Sequence, residues 1–238
     1  MSALSYHKNY WIQHKFKWLL QRFPAFYIKV QMLRYKGKRY QNKIIAKDSD
    51  IVIEGYPRSA NSFSMKAFKF SNGDGYKIAT HLHAYPQVIM ALRYKVPTLV
   101  LIRHPFDCIS SYAALRAQAK GYEKVKDTFS LSWMLEDYIV FYSALKPFKG
   151  KFLMAEFSQV LDDYGLVISK LNEMFNTEFI PFDHSPENEK AVFADAKTHL
   201  SPSADREKIK EHYRTEMEQL KQTETYKKAL SLYEFWTS

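Results

Sequence analysis

The chain has a single cysteine, Cys108, among 238 residues. An intramolecular disulfide is therefore impossible and a multi-cysteine zinc site is excluded, which suits a reducing compartment. No apolar run is long enough to cross a bilayer. The first residues lack the cationic-then-apolar pattern of a secretory signal, so the cytoplasm is the expected location. There is no internal repeat and no low-complexity linker, and the length fits one domain better than two. A single domain over residues 1–238 is expected. Acids are scarce at one end: residues 1–50 carry eleven Lys or Arg against only Asp48 and Asp50.

What is present is apolar and basic. Hydrophobic residues make up 46% of the chain, with 17 Tyr, 17 Phe and 4 Trp, enough for a globular core. The formal charge of +10 favours anionic partners: nucleotides, nucleic acid, acidic glycans or lipid headgroups. In the basic N-terminal segment, residues 1–50, aromatics interleave with charges (YWIQHKFKWLLQRFPAFYIKV). Trp11, Lys15, Trp18 and Leu19 stand at helical spacings, which predicts an amphipathic helix before Pro24. Two roles fit it. One is peripheral contact with a membrane surface or polyanion. The other, the expected one, is a helix laying its aromatics on the domain core while its lysines reach water.

From residue 51 the chain alternates. Strands are expected at DIVIEGY, YKIATHLHA, TLVLI and KFLMAEF. Helices are expected at NSFSMKAFKF, PQVIMALRYK, PFDCISSYAALRAQAK, SLSWMLEDYIVFYSALK and SQVLDDYGLVISKLNEMF, with a helical tail from Ser203 and loops at DHSPENEK and SPSAD. Strands alternating with helices predict an α/β fold whose parallel sheet is flanked by helices on both faces. Ligands of such sheets sit beyond the carboxyl ends of the strands.

The first strand runs into IVIEGYPRSANSF, residues 51–63. A strand, a tight glycine turn and a helix N-terminus present backbone N–H groups to an anion. Against the phosphate loop G-x-x-x-x-G-K-[ST], Gly55 and Ser62 fit, but Ala60 replaces the second glycine and Asn61 the lysine. The positive charge has moved to Arg58. The metal-holding acid of triphosphatases is also missing, because TLVLI ends in Arg103. At that second junction, TLVLIRHPFDCISSY, Arg103 lies just past a buried strand and Ser111 follows eight residues on. An arginine fork there matches phosphate oxygens, and the serine adds a hydroxyl. A salt bridge from Arg103 to Asp107 is the structural alternative.

Together these junctions resemble the sulfotransferases that use 3′-phosphoadenosine 5′-phosphosulfate (PAPS). Their first signature, Tyr-Pro-Lys-Ser-Gly-Thr-Thr-Trp, is similar to YPRSANSF at Tyr56–Phe63. Their second, R-N-P-x-D-x-x-x-S-Y, matches RHPFDCISSY at Arg103, Pro105, Asp107, Ser111 and Tyr112. Their Lys-Thr-His strand carries the base 22 residues before the arginine, and ATHL puts His81 there. The likeness covers roughly residues 50–175. It implies a nucleoside-kinase-like, P-loop-type fold with helical N- and C-terminal segments. It also implies that Arg58, Ser59, Ala60, Asn61, Ser62 and Phe63 cradle the 5′-phosphosulfate, and that Arg103 and Ser111 hold the 3′-phosphate. Arg58 would stabilise the leaving phosphate, Phe63 would stack on the cofactor, and His81 would be the base. The product would be adenosine 3′,5′-bisphosphate, and no metal is expected. The acceptor would be a small molecule, glycan or glycolipid hydroxyl or an amine, and no nucleic-acid partner is expected.

Several positions depart from that pattern. Ala79 stands where the family has lysine, with Lys77 nearby on the expected strand. FSQV at Phe157–Val160 replaces Tyr-Glu-Asp-Leu, and only Arg206 offers a substitute for the family's glycine-rich cover over the 3′-phosphate, beside a capping role for Ser203. His83 and Glu54 are fallback bases. His81 and His83 would share one strand face as a metal pair does, but His184, Asp183 and His199 give no recognised ligand spacing. The other readings are a phosphotransferase on the same scaffold and a non-catalytic nucleotide- or polyanion-binding module.

Overall fold

The computed structural model describes residues 14–125, 130–194 and 204–238. It opens with two helices, residues 14–21 (α1) and Pro24–Arg34 (α2). Proline lacks an N–H and presets a helical φ, so Pro24 serves as the first residue of α2. Then follow β1 (Ile51–Gly55), α3 (Asn61–Asn72), β2 (Ile78–Thr80), α4 (Tyr85–Tyr94), β3 (Thr98–Ile102) and α5 (Pro105–Lys120). The short α6 (Tyr122–Val125), α7 (Leu131–Leu145), β4 (Leu153–Glu156), α8 (Phe157–Asp162) and α9 (Tyr164–Phe175) come next. Helices α10 (Pro186–Ala194), α11 (Ala204–Leu220) and α12 (Glu224–Thr237) complete the order. No helix among the described residues is long and apolar enough to cross a membrane.

The strands form one parallel sheet in the order β2-β1-β3-β4. Ile51 lies opposite Ile78, Ile53 opposite Leu99, and Leu101 opposite Ala155. This face packs on Phe63, Ala67 and Phe68 of α3 and on Val167, Ile168 and Leu171 of α9. Side chains alternate along a strand, so the neighbours face the other way. Val52 and Ala79 meet Tyr27 and Ile28 of α2 and Met90 of α4. Val100 and Ile102 meet Ile109 and Ala113 of α5 and Leu135, Tyr138 and Tyr142 of α7. Helices thus cover both faces, which is why the strands read as unbroken apolar runs. At Gly55 a Cβ would stand 2.5 Å from the Leu101 carbonyl oxygen, so only glycine lets β1 and β3 meet at the mouth of the loop.

The structure departs from the sequence reading in four places. Strand β2 stops at Thr80 rather than running through His83. His81 (φ 61°) and His83 (φ 51°) are both left-handed, so they sit on the loop leaving the strand instead of sharing its face. The single helix expected over residues 158–175 divides at Asp163, whose side chain accepts from the Leu166 N–H (2.9 Å) and caps α9. The expected loop DHSPENEK becomes α10 from Pro186 onward. The helical tail is two helices, α11 and α12, with Thr223 capping the second. Trp11, His199 and Ser203 lie outside the described residues.

A candidate anion site at two strand ends

The loop after β1 is held from within. Ser59 N–H donates to the Tyr56 carbonyl (3.3 Å), and the Asn61 side-chain amide donates to the same oxygen (3.0 Å). The Cys108 thiol donates to the Pro57 carbonyl (3.1 Å) and its sulfur lies 3.7 Å from the Ser59 hydroxyl. These contacts tie the loop to α5. Arg58 (φ 71°) and Ala60 (φ 73°) take left-handed backbone, a conformation costly for residues with a Cβ. Ala60 is the N-cap of α3 and offers no side-chain acceptor, so the helix begins without a side-chain cap over its first N–H groups. Those groups, at Asn61, Ser62 and Phe63, carry the positive end of the helix dipole.

Two guanidinium groups meet above this turn. Arg58 Nε donates to Ser111 Oγ (2.9 Å), and Arg103 Nη1 donates to the Arg58 carbonyl (3.2 Å). Arg103 also stacks over the Phe157 ring, 3.9 Å from its centroid, while Tyr138 donates its hydroxyl to the Arg103 carbonyl (3.0 Å). A third arginine, the buried Arg206 of α11, is fixed by its Nε donating to Gln118 Oε1 (2.7 Å). Burial depresses the Arg58 pKa, and the charges of Arg206 and Arg103 push it the same way. Burial likewise lowers Arg103. Clustered, partly desolvated cations favour a polyanion between them. Asp107 does not pair with Arg103, the alternative raised by the sequence. It is taken by Arg214 at 3.0 Å.

The histidines contact the same loop at Ser62 and Gly55. His81 Nε2 lies 2.9 Å from Ser62 Oγ, and its Nδ1 lies 2.9 Å from Thr80 Oγ1. Burial pushes its pKa down to about 3, helped by His83 and Lys43, so the imidazole is neutral at pH 7. His83 Nδ1 donates to the Gly55 carbonyl (2.7 Å), which puts the ring lone pair on Nε2. Behind them Glu54 is fully buried. It accepts from Gly55 N–H (3.1 Å), Leu82 N–H (3.0 Å) and Gln87 Nε2 (2.8 Å), and His83 Nδ1 lies 3.5 Å away. Burial pushes its carboxyl up to about 8, although these donors pull the other way. By holding Leu82, Glu54 fixes the loop between the two histidines.

Of the residues singled out in the sequence, Arg58, Arg103 and Ser111 are linked to one another, and Ser62 pairs with His81. Ser59 and Asn61 turn inward as loop braces. Phe63 lies in the core, its ring edge-on to Tyr164 and Phe182 and tilted against His184 and Phe193, so its side chain faces away from the arginines' turn. Ala79 points into the opposite core, and Lys77 is a surface residue paired with Asp48. The cation close enough to act on both histidines is Lys43, from the N-terminal segment. Lys43 carried no motif, and Phe157 was noted only as the start of the poorly matching FSQV. Arg206 was raised from the sequence as a substitute for the cover over the 3′-phosphate, beside a capping role for Ser203. A separate cavity of about 360 Å³ opens beside β4, between Leu153, Gln159 and Lys170, and shares no residue with the arginine cluster.

No protein-family model matches the chain, and no curated protein matches it significantly.

Proposed function

We propose that the protein is a PAPS-dependent sulfotransferase of the P-loop type, moving a sulfuryl group to an acceptor hydroxyl or amine. The observation carrying this reading is the linkage, through arginine, of two strand-helix corners that are neighbours in the sheet: Arg103 to the Arg58 carbonyl, and Arg58 to Ser111. A ligand with two separated phosphate groups suits two such corners. The α3 N-terminus and Ser62 would receive the 5′-phosphosulfate, with Arg58 at its bridging oxygen. Arg103 and Ser111 would receive the 3′-phosphate, and Arg206 adds charge beside them. Ser111 accepts from Arg58, which leaves its own O–H to donate.

In the transfer, His81 takes the acceptor proton on Nε2. The acceptor oxygen or nitrogen forms its bond to sulfur as the bond from sulfur to the bridging oxygen breaks. That electron pair stays on the 5′-phosphate of adenosine 3′,5′-bisphosphate, where Arg58 stabilises it more in the transition state than in the ground state. A neutral imidazole is the correct form for this role. Ser62, now 2.9 Å from Nε2, would turn to the sulfonate and free the lone pair. Small-molecule, glycan and glycolipid acceptors all offer the required hydroxyl.

The test is transfer of radiolabelled sulfate from PAPS across a panel of phenol, sugar and glycolipid acceptors. His81→Ala should abolish transfer while bisphosphate binding stays within a few-fold of wild type. Binding of ATP with magnesium in preference to the bisphosphate would favour a phosphotransferase, and bisphosphate binding without transfer to any acceptor would favour a non-catalytic module.

A further inference from the structure

We propose that the outer face of α1 and α2 docks the protein on an anionic bilayer surface. The two helices bury one side and leave the other apolar. Inward, His14 Nδ1 lies 2.9 Å from Asp137, Trp18 donates its indole N–H to the same carboxylate, and Gln21, Tyr27, Ile28 and Gln31 are buried. Outward, Phe16, Leu19, Phe23, Phe26 and Leu33 are each between 52% and 72% exposed. Phe16 and Leu19 stand three apart on α1, Phe26 and Leu33 stand seven apart on α2, so each pair shares a face of its own helix, and Phe23 is the N-cap residue between the two. The remaining large exposed apolar residues among those described, Phe70, Leu166, Met174 and Ile180, belong to other parts of the fold. An exposed aromatic stripe of this extent marks a contact surface rather than ordinary surface scatter.

Charge identifies the occupant. Residues 14–47 contain ten Lys or Arg and no Asp or Glu. Arg22, Lys29, Arg34 and Lys36 are exposed close to the stripe in sequence. Lys15 and Lys17 are paired with Glu136 and Asp137, but a second copy of this face would still set Arg22, Lys29, Arg34 and Lys36 against the same four cations. Phenylalanine and leucine inserting at the headgroup boundary, with lysine and arginine reaching anionic lipid, satisfy both features at once. The expectation that the helix before Pro24 lays its apolar side chains on the core therefore holds in part for Trp18, which is half-buried, and fails for Phe16 and Leu19. The proposal does not depend on the catalytic reading.

The full chain should co-sediment with phosphatidylcholine vesicles containing phosphatidylserine at physiological salt, and far less with phosphatidylcholine alone. Each cation near such a surface contributes about fivefold, so the triple change Arg22→Gln, Lys29→Gln and Lys36→Gln should lower partitioning about a hundredfold. Phe23→Ser with Phe26→Ser and Leu33→Ser should lower it at least tenfold, and Phe70→Ser should leave it unchanged. The proposal is overturned if the wild type stays in the supernatant with anionic vesicles, or if the apolar triple variant binds as the wild type does. It is also overturned if sedimentation equilibrium finds a dimer that the apolar variant converts to monomer, since a second copy then covers the face.

Discussion

Replacing Arg103 by alanine separates a nucleotide site from a merely braced loop. In the folded chain this guanidinium lies on the Phe157 ring and gives one N–H to the Arg58 carbonyl. A guanidinium has five N–H groups, and the proposal directs others to the 3′-phosphate. A hydrogen bond to a charged group is worth about 1.5–3 kcal/mol, so losing it should raise the Kd for adenosine 3′,5′-bisphosphate about 10- to 150-fold. Arg103→Lys keeps the charge but loses the planar fork and the stacking, and should fall between wild type and alanine. Isothermal titration calorimetry at one fixed, low salt concentration measures both, with thermal melts of each variant to verify folding. A folded Arg103→Ala protein binding within threefold of wild type would refute the reasoning, because the second corner would then contribute nothing to the ligand.

Three further outcomes are expected. Phe63→Ala should cost about 3–5 kcal/mol of stability, and so lower Tm by about 6–20 °C for a chain of this size, while a still-folded sample binds bisphosphate normally. Lost binding with an unchanged Tm would instead return the ring to the cofactor. Glu54, raised from 4.5 to about 8, stabilises the fold most at low pH and loses that contribution as pH rises toward 8. His81, lowered to about 3, loses its contribution only as pH falls below 6.5. Between pH 6.5 and 8, urea unfolding should therefore show about 2 kcal/mol lost in wild type and a flatter profile in Glu54→Gln. A flat wild-type profile would mean that the N–H donors outweigh burial and keep Glu54 ionised. Ser111→Ala should weaken bisphosphate binding by about fivefold or more, since it removes a donor and leaves Arg58 Nε without that acceptor.

The sheet was legible because two-sided burial makes TLVLI and IVI uniform apolar runs, and proline and glycine bracket α5 at Pro105 and Gly121. The end of β2 was not. KIATHLHA continues the alternation, but Glu54 captures the Leu82 N–H and pulls the chain off the sheet, a tertiary contact without local signal. The arginines were readable as strand-end charges because each directly follows or closely trails a buried strand. Phe63 misled because an aromatic at that place in the motif carries no mark of direction. Only the rings of Phe182, His184 and Phe193, more than a hundred residues later, show which side it serves. Lys43 and Arg206 reach the site through packing of the terminal segments, which no spacing rule encodes.

The most direct measurement compares ligand-induced stabilisation by adenosine 3′,5′-bisphosphate with that by ATP and magnesium, each titrated to saturation. At a hundred times its Kd the bisphosphate should add about 2.7 kcal/mol, a rise in Tm of about 5–10 °C, and the triphosphate should add far less. No shift with the bisphosphate, or a larger one with ATP and magnesium, would contradict the idea that the two arginine corners serve a single doubly phosphorylated nucleoside.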